Sequence, residues 1–339
     1  MITNRARSGF LSPKKMINSE LHVTKKNNKH KHMKRIIYLI LTTLFIFSCN
    51  TEVTKEISKQ IAEAKIDAKT FKPAQKLSKQ FKDYWYAGEA EISSYKLEQA
   101  RYGEMRDGNA VLVFVTEDFL PEEQVKADNY SKDNTPVLKL NATKNFNTGI
   151  YPYSIMQSTF YPVTNNKHAI KISASIQEWC GHVYAQLNNR DDFEIISHSY
   201  FQSEADQNLM LKKTITENEI WTQLRINPQS LPTGIIKVIP SLEFLRLKHI
   251  KFQALKARAM LDKGTYTLYY PDLDRTLTIN FTEIFPYDIL GWKETYRDGY
   301  GPNAKKMSTK ATKIKSLKSA YWSKNSNNDE ALRETLGLQ

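Results

Sequence analysis

The sequence is short of the residues and patterns that usually announce a function. It has two cysteines, Cys49 and Cys180, in 339 residues. One is claimed by the N-terminal signal described below, so Cys180 has no intrachain partner and a disulfide framework is excluded. The fold must therefore stand on its core. No apolar run reaches the roughly 20 residues that an uncut transmembrane helix requires. There is no phosphate-cradling glycine loop, no HExxH zinc pair and no GxSxG nucleophile elbow. No internal repeat is visible. These gaps exclude the common signatures of nucleotide, zinc-protease and α/β-hydrolase chemistry.

What is present begins at Met33. Lys34 and Arg35 give a short cationic start, Ile36 to Phe47 an apolar run of twelve residues, and Ser48-Cys49 a close. The run is too short to span a bilayer but matches the hydrophobic region of a secretory signal. A small residue directly before a cysteine resembles the lipobox of bacterial lipoproteins. That resemblance implies cleavage before Cys49 and acylation of it. Phe47 departs from the pattern, where a smaller residue is usual. Residues 1–32 are basic and lack hydrophobic periodicity. They read as a mis-assigned start, with Met33 the true one, or as a long cationic leader.

The whole chain carries +13, a value that could point to nucleic acid. Residues 1–35 hold ten of the Lys and Arg and one acid, Glu20. The remainder has 39 basic and 35 acidic residues, a net of +4. With the leader removed, no charge argument for a nucleic-acid partner survives.

The chain divides into a leader (1–32), a signal (33–48), a helical tether (49–82), a β-rich domain (83–300) and a lysine-rich tail (301–339). Roughly 230 residues between leader and tail suffice for one large β domain or two small ones. In the tether, Val53, Ile57, Ile61 and Ala64 recur at helical spacing, and Pro73 can open a second helix carrying Leu77 and Phe81. Residues 87–103 read as a long strand, and Arg106-Asp107-Gly108-Asn109 as a turn. Val111 to Val115 is apolar on consecutive residues, which calls for a strand covered on both sides. Glu117 to Thr135 reads as an acidic loop, and Pro136-Val137 as the start of a strand. Tyr151 to Val163 contains two prolines and is expected at an edge. Alternation marks strands over Ile170–Ile176 and Trp179–Leu187, with Trp179 on the buried face. Further strands are expected at Phe193–Phe201 and Leu209–Ile215, a helix over Glu217–Ile226 and a strand over Ile235–Ile239. The stretch to Met260 gives no clear assignment. A hairpin pairs residues 265–270 with 276–281, and Gly291-Trp292 closes the domain. The tail from Asn303 to Lys324 has seven lysines and no acid. It reads as a solvated end, or as an electrostatic contact with anionic lipid or polymer. The fold class is thus mainly β: an antiparallel curved sheet or partly closed barrel or sandwich behind a helical tether.

One compact group of reactive residues stands out, Cys180-Gly181-His182. On an unbroken strand Cys180 and His182 point the same way about 6.5–7 Å apart. A nucleophile and its base need roughly 2.6–3.2 Å. A metal would further need His198 or His168. The simpler account makes Cys180 a small packed hydrophobe and His182 a local hydrogen-bonding group. The carboxylates Glu117, Asp118, Glu122, Glu123, Asp128 and Asp133 lack the glycine and alternation of a calcium loop. No cofactor or metal site is expected.

The Ser48-Cys49-Asn50 start, the blocks WYAGEAEISSYKLEQARYGE and LNATKNFNTGIYPYSIMQSTFYPV, and the strand-rich body resemble an uncharacterised group of Bacteroidota lipoproteins. Members are sometimes labelled septum formation inhibitor Maf. True Maf proteins are cytoplasmic α/β nucleotide pyrophosphatases; their Ser- and Arg-rich N-terminal motif and alternating βα units are absent here. The resemblance implies a protein of the cell envelope, lipid-anchored at the outer membrane and facing the periplasm. Two functions stay open: a non-catalytic binding or scaffolding lipoprotein for an envelope protein, lipid or polymer, and an envelope enzyme using Cys180 and His182.

Overall fold

The computed structural model describes residues 58–59, 76–165 and 167–338. Cys49, the signal, the leader and Pro73 lie outside the described residues. Of the helix expected after Thr51, Ser58 and Lys59 are described and helical, and the Ser58 hydroxyl lies 3.1 Å from that of Tyr269.

Helix α1 (Lys79–Trp85) opens where the Ser78 hydroxyl accepts from the Phe81 amide, capping a free N–H. Phe81 and Trp85 face inward. Nine strands follow: β1 (Ala90–Arg101), β2 (Glu104–Leu120), β3 (Val125–Lys126), β4 (Thr135–Thr148), β5 (Tyr151–Pro162), β6 (Lys171–Glu178), β7 (Gly181–Asn189), β8 (Phe193–His198) and β9 (Gln207–Leu211). Then come β10 (Ile215–Thr216), α2 (Glu217–Ile226), β11 (Gly234–Ile239), α3 (Leu242–Leu247), β12 (Leu255–Asp262), β13 (Thr265–Tyr270), β14 (Arg275–Phe281), β15 (Ile289–Asp298), β16 (Lys305–Ser319) and α4 (Ala331–Thr335).

Among the described residues all sixteen strands join one sheet, ordered β10-β11-β12-β13-β14-β15-β16-β1-β2-β4-β5-β6-β7-β8-β9, with β3 paired to β2. Every pairing is antiparallel except β10 with β11. The ends, β9 and β10, do not pair with each other, so the sheet is not closed into a barrel. Its curvature follows from α2. The side chains of this one helix reach Glu91 on β1, Tyr161 on β5, Arg275 on β14 and Trp292 on β15. Strands so far apart in a single sheet can meet one helix only if the sheet wraps around it. The mainly β, curved-sheet fold class is therefore what the chain adopts.

Several local expectations are corrected. The turn after β1 is Tyr102-Gly103, not residues 106–109. Both turn residues have positive φ (58° and 78°), as a two-residue primed hairpin turn requires. Gly108 instead lies inside β2, where a Cβ would sit 2.2 Å from the Asn145 carbonyl oxygen. Its glycine serves close strand approach. β5 is not an edge strand, since β4 and β6 flank it. Pro152 and Pro162 fit because β6 pairs only with Ser154–Phe160, leaving both prolines beyond its reach. The acidic loop is shorter than expected, because β2 continues to Leu120 and pairs with β3.

The largest correction concerns the tail. Residues 305–319 form β16, paired with β15 on one side and β1 on the other. This strand joins the two halves of the sheet, so Gly291-Trp292 closes nothing. Residues beyond it fold back: Leu336 and Leu338 pack with Ala90, Ile92 and Val115 on the outer face, with Val111 and Val113 alongside. Leu112 and Phe114 face the inner core. The apolar run 111–115 is thus covered on both sides, as its composition demands.

Candidate binding site

The interior of the curve is unusually ionic. α2 begins with a capping box, in which Thr216 and Glu219 exchange hydrogen bonds between side chain and backbone. Ile220 and Leu224 are buried, as the helical spacing predicts, but so are Glu217, Asn218, Gln223 and Arg225. Each finds a partner on the surrounding sheet. Arg225 meets Glu91 through two bonds of 2.6 and 2.7 Å and lies over the rings of Trp85 and Phe114. Glu217 accepts from Arg275 Nη2 at 2.6 Å and from the Tyr270 hydroxyl at 2.8 Å. Arg275 Nε donates to Glu294 at 2.7 Å. Burial alone would raise Glu91 and Glu217. The arginine charges and hydrogen bonds outweigh it and hold both below the ordinary carboxylate value.

Next to this network a cavity of about 50 Å³ is lined by Lys144, Gln157, Glu217, Glu243 and Glu294, with Trp221 and Trp292. Lys144 donates to Glu243 at 2.8 Å and Gln157 to its other oxygen at 2.9 Å. Three carboxylates here face two cations, Lys144 and Arg275. Burial, with Glu294 and Glu217 adding to it against the pull of Lys144, raises Glu243. Lys144 is also raised: burial lowers it, and Glu243 and Glu294 more than restore it. This space is too small for a ligand of the usual size, which occupies roughly 300–1,000 Å³. Its groups position α2 and α3.

A second cavity, of about 440 Å³, lies between α3 with the segment after it and strands β6 to β9. Ile176, Val183, Ala185 and Leu209 form the sheet wall; Leu242, Leu245 and Ile250 face them. The polar groups gather on one side: Glu204, Arg246, His249 and Lys251. Glu204 accepts from the Ser199 hydroxyl at 2.7 Å, and its other oxygen lies 2.6 Å from His249 Nδ1. Arg246 lies with its guanidinium 4.2 Å from the centre of the Phe201 ring. An apolar chamber with a few convergent polar groups is the usual form of a small-molecule site.

The residues singled out from sequence are not brought together. β6 and β7 end at the pair Glu178–Gly181, so Trp179 and Cys180 form the tip of a hairpin, not a strand. Trp179 is therefore 68 % exposed rather than buried. Cys180 is exposed and its amide donates to Glu178 Oε2 at 2.8 Å. A hydrogen bond to that carboxylate raises the thiol above its ordinary value. His182 is exposed on β7 opposite Gln177. His198 is exposed on β8, its Nδ1 3.2 Å from Asp206. His168 is buried at the other end of the sheet, 3.1 Å from Glu219 Oε1, where it ties the start of β6 to α2. Lys171 also lies at that far end of β6, with its Nζ on the Gln124 carbonyl. Of the acidic loop residues, Glu117 pairs with Lys139 at 2.6 Å. Among the described residues no group of three or more His, Cys, Asp or Glu could hold a metal ion.

Arg246, Glu204 and His249 escaped sequence reading because α3 is six residues long and its neighbourhood has no periodicity. The one local signal is Ser241, whose hydroxyl caps the Phe244 amide. The wall residues Ile176, Val183 and Ala185 were legible as an alternating face.

No protein-family pattern matches the chain, and no curated protein matches it. Two solved structures are loosely similar. A beta-barrel-like protein of a domain of unknown function from Brucella abortus superposes with a TM-score of 0.34 at 9% identity, covering 68% of this chain and 98% of its own. A porin-like protein from Bacteroides uniformis gives 0.21 at 10% identity, covering 66% and 95%. Both likenesses are too loose to bear on function. Among the described residues no helix is long and apolar enough to cross a membrane.

Proposed function

We propose that this chain is a lipid-anchored envelope lipoprotein of the Bacteroidota group it resembles, whose β domain binds a small apolar or amphipathic ligand without transforming it. The anchor is acylated Cys49, and the location is the outer membrane on its periplasmic side. The observation that carries the binding reading is the cavity of about 440 Å³ between α3 and β6–β9. Its volume falls in the usual range of ligand sites, and its walls are apolar with polar groups on one side. The scaffold suits the task. A sheet wrapped around buried ion pairs holds α2 in place, and the connection through β11 sets α3 against the sheet wall.

A neutral fluorescent probe tests this. N-phenyl-1-naphthylamine brightens on entering an apolar cavity, and its binding is independent of head-group charge. The wild-type protein is expected to show saturable enhancement. Val183→Trp, which fills the chamber from its wall, should abolish it while the far-ultraviolet spectrum stays unchanged. Equal enhancement by both proteins would place the probe elsewhere and remove the support for this site.

A further inference from the structure

We propose that the cavity between α3 and β6–β9 takes an amphiphile with an anionic head, a carboxylate or phosphate, seated against Arg246. The alkyl tail lies along Ile176, Val183, Ala185 and Leu209. This inference rests on the binding reading above and adds the chemistry of the ligand.

The buried arginines are unequally partnered. Among the described residues four arginines are largely buried, and two of them have carboxylate partners at hydrogen-bond distance. Arg225 has Glu91, and Arg275 has Glu217 and Glu294. Arg101 donates to the Leu247 carbonyl and to the hydroxyls of Tyr102 and Tyr153. Arg101 keeps one enclosed nitrogen without a partner, its Nε, whereas Arg246 keeps two. Its side chain is 8% exposed, and its Nε and Nη1 are enclosed with no hydrogen-bond partner among the described residues. Its nearest counter-charge, Glu204 Oε2, is 4.0 Å from Nε, close enough for an ion pair but beyond hydrogen-bond reach. That carboxylate is hydrogen-bonded instead to Ser199 and His249.

A buried guanidinium with two of its nitrogens left without acceptors is costly. Arg225 and Arg275 show that this fold can supply acceptors to a buried guanidinium. Here the group lines a chamber wide enough for a ligand, with its central carbon over the Phe201 ring. A guanidinium can grip a carboxylate or phosphate through two donors. Water would accept single hydrogen bonds, whereas one carboxylate or phosphate accepts from both unpaired nitrogens with charge assistance. Lys251, an exposed residue of the same lining, adds a second cation. A free inorganic anion would leave the aliphatic walls unfilled, so the site calls for head and tail in one molecule.

The test uses purified full-length protein and five probes, each below its micelle concentration where it has one: dodecanoate, dodecyl phosphate, dodecanol, dodecyltrimethylammonium and inorganic phosphate. The two anionic amphiphiles are expected to bind about tenfold or more tightly than dodecanol, the factor that one charge-assisted hydrogen bond carries. The ammonium should bind weaker still. Their order relative to each other separates a carboxylate head from a phosphate head. Arg246→Met should bring dodecanoate down to the level at which the same variant binds dodecanol; Arg246→Lys should restore part of the difference. Dodecanol serves as the check that the variant is folded and its chamber intact. Equal binding of dodecanoate and dodecanol by the wild type, or unaltered dodecanoate binding by Arg246→Met, overturns the anionic head and leaves the binding reading standing. Inorganic phosphate as tight as dodecyl phosphate overturns the amphiphile. Binding of none of the four amphiphiles defeats both readings.

Discussion

Arg225 and Glu91, 134 residues apart in the chain, face each other through two hydrogen bonds inside the curved sheet, with 1% and 3% of their side chains exposed. The pair ties α2 to β1, which sits next to the junction of the two halves. Removing one partner leaves a buried charge uncompensated. Arg225→Met is therefore expected to cost about 3–5 kcal/mol. The double variant Glu91→Met/Arg225→Met should cost less than Arg225→Met alone, because no orphaned charge remains. Urea unfolding midpoints of the wild type, both single variants and the double variant form the cycle. Additive losses would show that the two residues do not act as a unit.

The same ionic interior sets a pH dependence with two opposing signs. Glu91 and Glu217 are held below the ordinary carboxyl value of 4.5. Their stabilisation is fully present above that value and is lost as the pH falls through their folded values. Glu243 is raised above 4.5, so its ionised form costs folding energy that sets in as the pH rises above 4.5 and is complete once the pH has passed its folded value. The wild-type melting temperature should fall on acidification below about pH 4.5. Glu91→Gln should flatten that fall. Glu243→Gln should gain on the wild type as the pH rises above 4.5. A Glu243→Gln difference that shrank with rising pH would contradict the assignment.

The antiparallel β class, the α2 helix and the apolar wall of the cavity were legible because each follows from periodicity. What escaped was set by partners distant in sequence. Nothing local to the polar residues of α2 shows that a sheet will wrap around them. Gly108 follows an aspartate in a turn-like tetrapeptide, yet its role is decided by Asn145 on the neighbouring strand. Arg246 belongs to a helix too short to show a pattern, and its environment is built from four strands and a loop. The lysines of β16 hid a strand because several of them sit on exposed positions, while Lys313 and Lys318 turn back to Asp288 and to the Tyr84 carbonyl.

That strand gives a direct test. A chain ending at residue 303 lacks β16, which pairs with both β15 and β1, and should fail to fold. A chain ending at 319 keeps the sheet but loses Leu336 and Leu338 from the outer face of β1 and β2. It should fold with a loss of about 2–5 kcal/mol, the range for removing a buried leucine. Circular dichroism and urea titration of both truncations measure this. A fully stable chain ending at 303 would return residues 304–339 to the status of a solvated tail.

The anchor is tested separately from the fold. A clickable fatty acid fed to producing cells should label the protein, and Cys49→Ala should remove the label. Cys180→Ala should not, since Cys180 lies on an exposed hairpin tip within the folded domain. Equal labelling of wild type and Cys49→Ala would refute acylation at Cys49.

Cys180 itself is the sharpest point of difference between a binding protein and an enzyme. The thiol is open to reagents, but reactivity depends on thiolate, and thiolate is favoured by a nearby cation. The structure places the opposite charge there: the Glu178 carboxylate accepts from the Cys180 amide and, with the hydrogen bond it makes to the thiol, raises it. Alkylation by iodoacetamide at neutral pH should be slower than for free cysteine, with a rate that climbs through a midpoint above 9.0. Glu178→Gln should move that midpoint down and speed the neutral reaction. Cys180→Ser should leave the urea midpoint and the binding of N-phenyl-1-naphthylamine unchanged, because the side chain packs in neither the core nor the cavity. Alkylation faster than free cysteine, slowed by Glu178→Gln, would mean that Glu178 activates the thiol, and would move the case to the enzyme.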